Sequence, residues 1–168
     1  MTSLPDAAAA TPWGVVASID YGHVRIGVAL SDSQRSIATP HKTYTRRNLQ
    51  NDADWFRRLT HDCRVTLFVV GLPVHLDGRE SGKSLEARKF GQWLAAETGV
   101  AVAYYDERFT TVEAEEQLLA AGLTSKRRKA RRDMVAAQIL LRDFLESGGK
   151  SQDSPGPLDD DDFTPRGS

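Results

Sequence analysis

At 168 residues, 40% of them hydrophobic and 27% charged, the chain has the size and composition of one globular domain with a substantial core. A formal net charge of −1 excludes a uniformly basic or acidic protein, and a single cysteine excludes an internal disulfide. Apolar runs of at most six or seven residues exclude a membrane-spanning helix.

The N-terminal residues 1–12 lack the basic-then-apolar order of a secretory signal and read as a flexible arm. With Cys63 as the one thiol, a reducing cytoplasmic setting is expected. Val15 to Asp20 reads as a buried strand, Tyr21-Gly22-His23 as a tight turn, and Arg25 to Ser31 as the second arm of a hairpin. A short strand is expected around His41 to Tyr44. Asn51 to Cys63 spaces Trp55, Phe56 and Leu59 as an amphipathic helix does, and Thr66 to Val70 is a continuous apolar strand of the doubly buried kind.

A loop from Gly71 to Gly82 precedes a helix whose apolar stripe is Leu85, Phe90, Trp93 and Leu94. Gly99 stands where a helix C-cap glycine is expected, and Val100 to Tyr105 forms the next strand. Thr111 is placed to cap a helix starting at Val112 and ending near Gly122. A last helix runs to about Glu146, with Met134, Ala137, Leu140, Leu141, Phe144 and Leu145 on one face. Strands alternating with helices after an initial hairpin predict an α/β fold with antiparallel and parallel portions of one sheet. The folded domain is expected over 13–146, and residues 147–168 are too rich in Gly, Ser, Pro and Asp to bury, predicting a disordered acidic tail.

Three acidic positions carry the chemistry. Asp20 closes one apolar strand, Asp106-Glu107 closes another, and Asp133 opens the apolar stripe of the last helix. A carboxylate at such a half-buried position shifts its pKa, pairs with a cation, or binds a metal. If the three converge, they form an all-oxygen site for a divalent cation and hence for phosphodiester chemistry. Asp106 and Glu107 point to opposite sides of their strand, so only one of them shares the site with Asp20. Singly, each has a duller explanation: Asp20 as a turn former, the Asp-Glu pair and Asp133 as helix caps.

Lys126-Arg127-Arg128-Lys129 and Arg131-Arg132 place six cations in a seven-residue window beside Asp133, a pattern suited to phosphate contacts. The segment Asp77 to Ser84 resembles a nucleotide-phosphate loop, but Gly78 and Gly82 are one residue too close for that cradle. Arg79 and Lys83 in it remain candidates for contacting a nucleic-acid phosphate. The histidines 23, 41, 61 and 75 have no zinc-ligand spacing with one another or with Cys63.

Four motifs in order make the chain resemble the YqgF/RuvX family, over roughly residues 15 to 146. They are Ile19-Asp20-Tyr21-Gly22 with Arg25-Ile26-Gly27-Val28-Ala29; Val70-Gly71-Leu72-Pro73 with Asp77-Gly78; Asp106-Glu107-Arg108-Phe109-Thr110-Thr111; and Asp133 with Ala136-Ala137. Phe109 stands where leucine is usual in that family. The resemblance implies a ribonuclease H-like fold, a mixed five-stranded sheet flanked by helices. It implies a cytoplasmic, Mg²⁺- or Mn²⁺-dependent nuclease that resolves Holliday junctions or processes the 5′ end of pre-16S rRNA. Asp20, Glu107 and Asp133 are then the catalytic and metal-binding residues, with Asp106 the alternative to Glu107. Arg108, Lys126, Arg127, Arg128, Arg131, Arg132, Arg79 and Lys83 are the expected nucleic-acid contacts, for DNA junctions, single strands or structured RNA.

No membrane partner is expected, and either a monomer or a homodimer fits. The rival expectations are a non-catalytic nucleic-acid-binding or ribosome-assembly factor and an actin-like or sugar-kinase ATPase, for which the chain is too short.

Overall fold

A computed structural model of the chain describes residues 13–73, 82–107 and 110–148. The arm at 1–12, the loop residues 74–81 with Arg79, the pair 108–109 with Arg108, and the tail from 149 lie outside the described residues. The elements run β1 (Val15–Asp20), β2 (Arg25–Ser31), β3 (Ala38–Thr45), α1 (Leu49–Cys63), β4 (Val65–Leu72), α2 (Gly82–Thr98), β5 (Ala101–Asp106), α3 (Thr110–Ala120) and α4 (Ser125–Glu146).

The five strands form one sheet in the order β3-β2-β1-β4-β5. β1, β2 and β3 pair antiparallel, while β1, β4 and β5 are parallel. The hairpin accounts for the first set, and crossover helices account for the second. The expected mixed five-stranded sheet is what forms.

Strand alternation sorts the side chains onto two faces. Ala17, Ile19, Phe68, Val70 and Leu72 pack with Phe56, Leu59, Ala87, Phe90 and Leu94 of α1 and α2. On the other face, Val16, Ala29, Leu67, Val69, Ala101 and Ala103 pack with Ala137, Leu141 and Phe144 of α4. α3 then rests on α4 through Ala114, Ala136 and Ile139. Both faces of β4 are therefore covered, which is why its sequence is apolar without alternation.

The helix ends follow local chemistry. Asn48 caps α1 by accepting the Asn51 N–H at 2.8 Å. Gly99 terminates α2 with φ +72° and donates its N–H to the Ala95 carbonyl at 2.9 Å. Several sequence expectations are corrected. Leu85 is 53% exposed; the buried stripe of α2 is Ser84, Ala87, Phe90, Gly91, Leu94 and Ala95, and Leu85 lies one residue, about 100°, off it. α3 begins at Thr110, so Thr111 lies inside the helix instead of capping it. Gly71 belongs to β4, not to the loop after it.

A buried polar knot fixes the end of β1. Asp52 accepts hydrogen bonds from Tyr44 Oη at 2.7 Å, the Arg47 N–H at 3.0 Å and Arg46 Nε at 3.3 Å. Arg46 in turn donates to Tyr21 Oη at 3.3 Å and lies over the Tyr21 and Phe90 rings at 5.5 and 5.8 Å. Tyr21 directly follows Asp20, so the knot anchors that aspartate's neighbour. Asp52→Ala leaves a buried hydroxyl and a guanidinium without their acceptor and is expected to cost about 3 kcal/mol, read as a lower urea midpoint at unchanged slope.

Candidate active site

The same alternation that sorts the core sorts the carboxylates. On β1, Val16, Ser18 and Asp20 share the face covered by α4. Ser18 Oγ donates to the Ala137 carbonyl at 2.6 Å inside the interface. One helical turn before Ala137 is Asp133, and one strand repeat after Ser18 is Asp20, so the two aspartates stand at one level. Asp20 also pairs with Gly27, and a Cβ at Gly27 would stand under 3.0 Å from the Asp133 carbonyl. Gly27 thus lets the α4 backbone approach β2 where Asp133 sits.

Asp133 is not a cap. Thr124 caps α4 by accepting the Arg127 N–H at 3.4 Å, and Asp133 lies more than two turns further on. Its Oδ2 accepts Arg25 Nε at 3.0 Å. Arg25 lies two residues before Gly27 and so on the same face of β2. Along the chain Arg25 is only a charged residue opening a strand, and the expected site residues do not include it. Its two-residue offset from Gly27 is the signal that it shares the face of the acidic residues.

On β5, Ala101 and Ala103 face α4, and continuing the alternation brings Tyr105 and Glu107 to that side, with Asp106 on the other. The Glu107 N–H donates to the Leu72 carbonyl at 3.2 Å, continuing the β4–β5 ladder one residue past the strand. A Cβ at Gly71 would stand under 3.0 Å from the Glu107 carboxylate and at 3.0 Å from Leu140 Cδ2 of α4. Gly71 therefore leaves the space that the Glu107 carboxylate fills between sheet and helix.

Electrostatics couples the three. Burial, then the neighbouring Asp133 charge, raises Asp20 to about 7, against the opposing pull of Arg132. Burial, then the charges of Asp20 and Asp106, raises Glu107 well above the usual carboxylate range. Among the described residues, no group of three acidic, histidine or cysteine side chains is arranged to hold a metal ion as it stands. The donor set nevertheless suits a hard divalent cation: all-oxygen, half-buried and with like-charge repulsion that a cation relieves.

The raised carboxylates have a sign-definite consequence. The folded protein retains protons that the unfolded chain releases between about pH 4 and about 7, so stability present at low pH is lost as pH rises through that window. With a chelator present, the melting temperature is expected to fall by several degrees across this range. Asp20→Asn flattens the fall. If these oxygens hold a divalent cation, added Mg²⁺ is expected to raise the melting temperature more at pH 8 than at pH 5, because protons and metal would compete for them.

The basic residues divide. Lys126, Arg127, Lys129 and Arg131 are exposed on the first turns of α4. Arg128 donates through Nη1 to the Leu123 carbonyl at 2.9 Å, and Arg132 reaches Glu115 at 3.4 Å while its charge acts on Asp20. Lys83 is exposed in the first turn of α2.

The chain also resembles known proteins. The RuvX family model, described as Holliday junction resolvase, matches residues 14–147. A protein of Rhodopirellula baltica named "Putative pre-16S rRNA nuclease" is 46% identical over 134 residues, covering 80% of this chain and 78% of the relative. A protein of the same name from Ruegeria pomeroyi is 39% identical over 140 residues, covering 83% and 91%. Among solved structures, T. thermophilus RuvC in complex with a Holliday junction substrate superposes with TM-score 0.50 at 19% identity, covering 82% of this chain and 98% of that one. The Fowlpox virus resolvase in complex with Holliday junction DNA gives TM-score 0.52 at 11% identity, covering 81% and 99%. These structural likenesses show a shared fold, the ribonuclease H-like one. With its matched span covering nearly all the described residues, the chain belongs to the RuvX family of Holliday junction resolvases, a family of nucleases.

Proposed function

We propose that this protein is a divalent-metal-dependent nuclease in which Asp20, Glu107 and Asp133 hold Mg²⁺ or Mn²⁺ and cut a phosphodiester bond. The observation that carries this reading is the delivery of three carboxylates, from β1, the end of β5 and α4, to one level of one sheet face, with Asp20 and Glu107 both held above their usual pKa. When bound, the metal activates water and stabilises the leaving oxygen of an in-line displacement.

The chain's own residues supply the rest. Asp20 and Glu107 offer oxygens whose protons leave as the cation arrives. Arg25 keeps the Asp133 carboxylate oriented on the same face. The exposed cations of α4, Lys126, Arg127 and Arg131, contact the backbone phosphates, and Arg132 offsets the acidic charge at Asp20. Lys83, and Arg79 and Arg108 outside the described residues, complete the proposed nucleic-acid contacts.

The names of the relatives favour pre-16S rRNA as substrate. The family description supports a second reading, the four-way DNA junction. Junction resolution by paired nicks needs a symmetric dimer, whereas rRNA processing does not. Cleavage of a precursor 16S rRNA end is compared with that of a four-way junction, in Mg²⁺ and in EDTA, together with the mass in solution. Metal-dependent cleavage of the RNA by a monomer is expected. No cleavage of either substrate, with retained binding, makes the protein a non-catalytic assembly factor and overturns the proposal.

A further inference from the structure

We infer that the cleft between β3 and α1 is a second nucleic-acid site that holds a single-stranded segment flanking the cleaved bond. This rests on the nucleic-acid reading above. The cleft has a volume of about 520 Å³ and is walled by Lys42 to Thr45 and Arg47 on one side and by Asn51, Asp54, Trp55 and Arg58 of α1 on the other.

Its charge is the first argument. Lys42, Arg47 and Arg58 are exposed, and none has an ion-pair partner among the described residues. The one carboxylate on the wall, Asp54, accepts Arg57 Nη1 at 3.1 Å. Three exposed cations around one concavity, none ion-paired among the described residues, favour a polyanion.

Trp55 is the second. One face of its ring stacks on Tyr44 at 4.4 Å between centroids, with planes 23° apart, and the partly exposed indole lines the cleft. A rigid aromatic backed by another ring, beside cations, is what stacks an unpaired base without reading its identity. Duplex bases are not available to such a platform.

Position is the third. Asp20 pairs with Gly27 and Gly27 with Thr43, so the edge strand β3 lies two strand spacings, roughly 10 Å, from the Asp20 backbone, and the cleft opens on the α1 side of that edge, round it from the carboxylates. Thr43 Oγ1 also approaches the Ala130 carbonyl at 3.5 Å, inside the basic run of α4. Cations thus continue from α4 across β3, the edge strand, to α1. A protein strand is a poor occupant of the same edge, because Pro40 and Lys42 on β3 oppose further strand pairing.

The test uses the full chain carrying Asp20→Asn, which binds without cutting, and fluorescein-labelled 12-nucleotide oligouridylate and oligothymidylate. Binding is followed by anisotropy between 50 and 200 mM salt. Adding Lys42→Gln, Arg47→Gln and Arg58→Gln together is expected to weaken binding at least about tenfold and to lower the log–log salt slope by about 2. Trp55→Leu is expected to weaken binding at unchanged slope, the mark of lost stacking. The RNA and DNA arms show which strand the cleft prefers. Unchanged affinity and slope in the triple variant overturn the inference. Should the triple variant fold poorly, Arg58→Glu alone, with its melting curve recorded, takes its place, and unchanged affinity there overturns the inference equally. Cleavage by the wild-type chain with an unaltered triple variant removes the cleft and keeps the nuclease. A lowered slope without cleavage keeps the cleft and removes the nuclease.

Discussion

Replacing Asp20 by asparagine is expected to lower the cleavage rate by about 10²–10³-fold or more while leaving nucleic-acid affinity within about twofold of the parent. Lewis-acid stabilisation at a phosphodiester contributes several kcal/mol, and each 1.36 kcal/mol is a factor of ten. Asparagine keeps the shape and one oxygen but removes the charge that would hold the cation. Binding is expected to be spared because none of the cations proposed to contact phosphate lies on β1. Asparagine also removes one of the two neighbouring charges that, after burial, raise Glu107. The variant should therefore melt higher than the parent at pH 8 in EDTA, and lose much of the stabilisation by Mg²⁺. Retained cleavage at the parental rate excludes Asp20 from the site.

The second large effect comes from two glycines that carry no chemistry. Gly71→Ala puts a methyl where the Glu107 carboxylate now lies, against the end of a flexible side chain and Leu140 Cδ2. The side chain is expected to swing away at modest cost in stability, about 1 kcal/mol, and cleavage to fall by at least about a hundredfold because one proposed ligand has left. Gly27→Ala meets the Asp133 backbone instead, which cannot swing aside. Either α4 shifts off β2 or the interface strains, and about 3 kcal/mol or more of stability is lost along with activity. Urea titrations and cleavage rates on both variants separate the two cases. Equal stability losses would show that Gly71 makes room for packing alone and not for Glu107.

Much of the fold was legible because its signals are local. The doubly buried β4, the hairpin of β1 and β2, and the cap at Gly99 each follow from a few neighbouring residues. Element edges were less legible. Leu85 is as apolar as its neighbours, and only the docking of α2 through Ala87 and Gly91 shows that it points outward. Likewise Arg25 reads as a solvent-facing charge until α4 folds over β2 and brings Asp133 to its Nε.

By itself the sequence determined that acidic residues end two apolar strands and interrupt one apolar helix face, and that cations crowd beside the third. Those are statements about neighbours along the chain, and burial costs make them informative without coordinates. Which of Asp106 and Glu107 shares a sheet face with Asp20 belonged to the tertiary structure. Adjacent strand residues point to opposite faces, and nothing local says which face the last helix will cover. Packing of α4 against Val16, Val69 and Ala103 decides that face, and Glu107 lies on it with Asp20 while Asp106 does not.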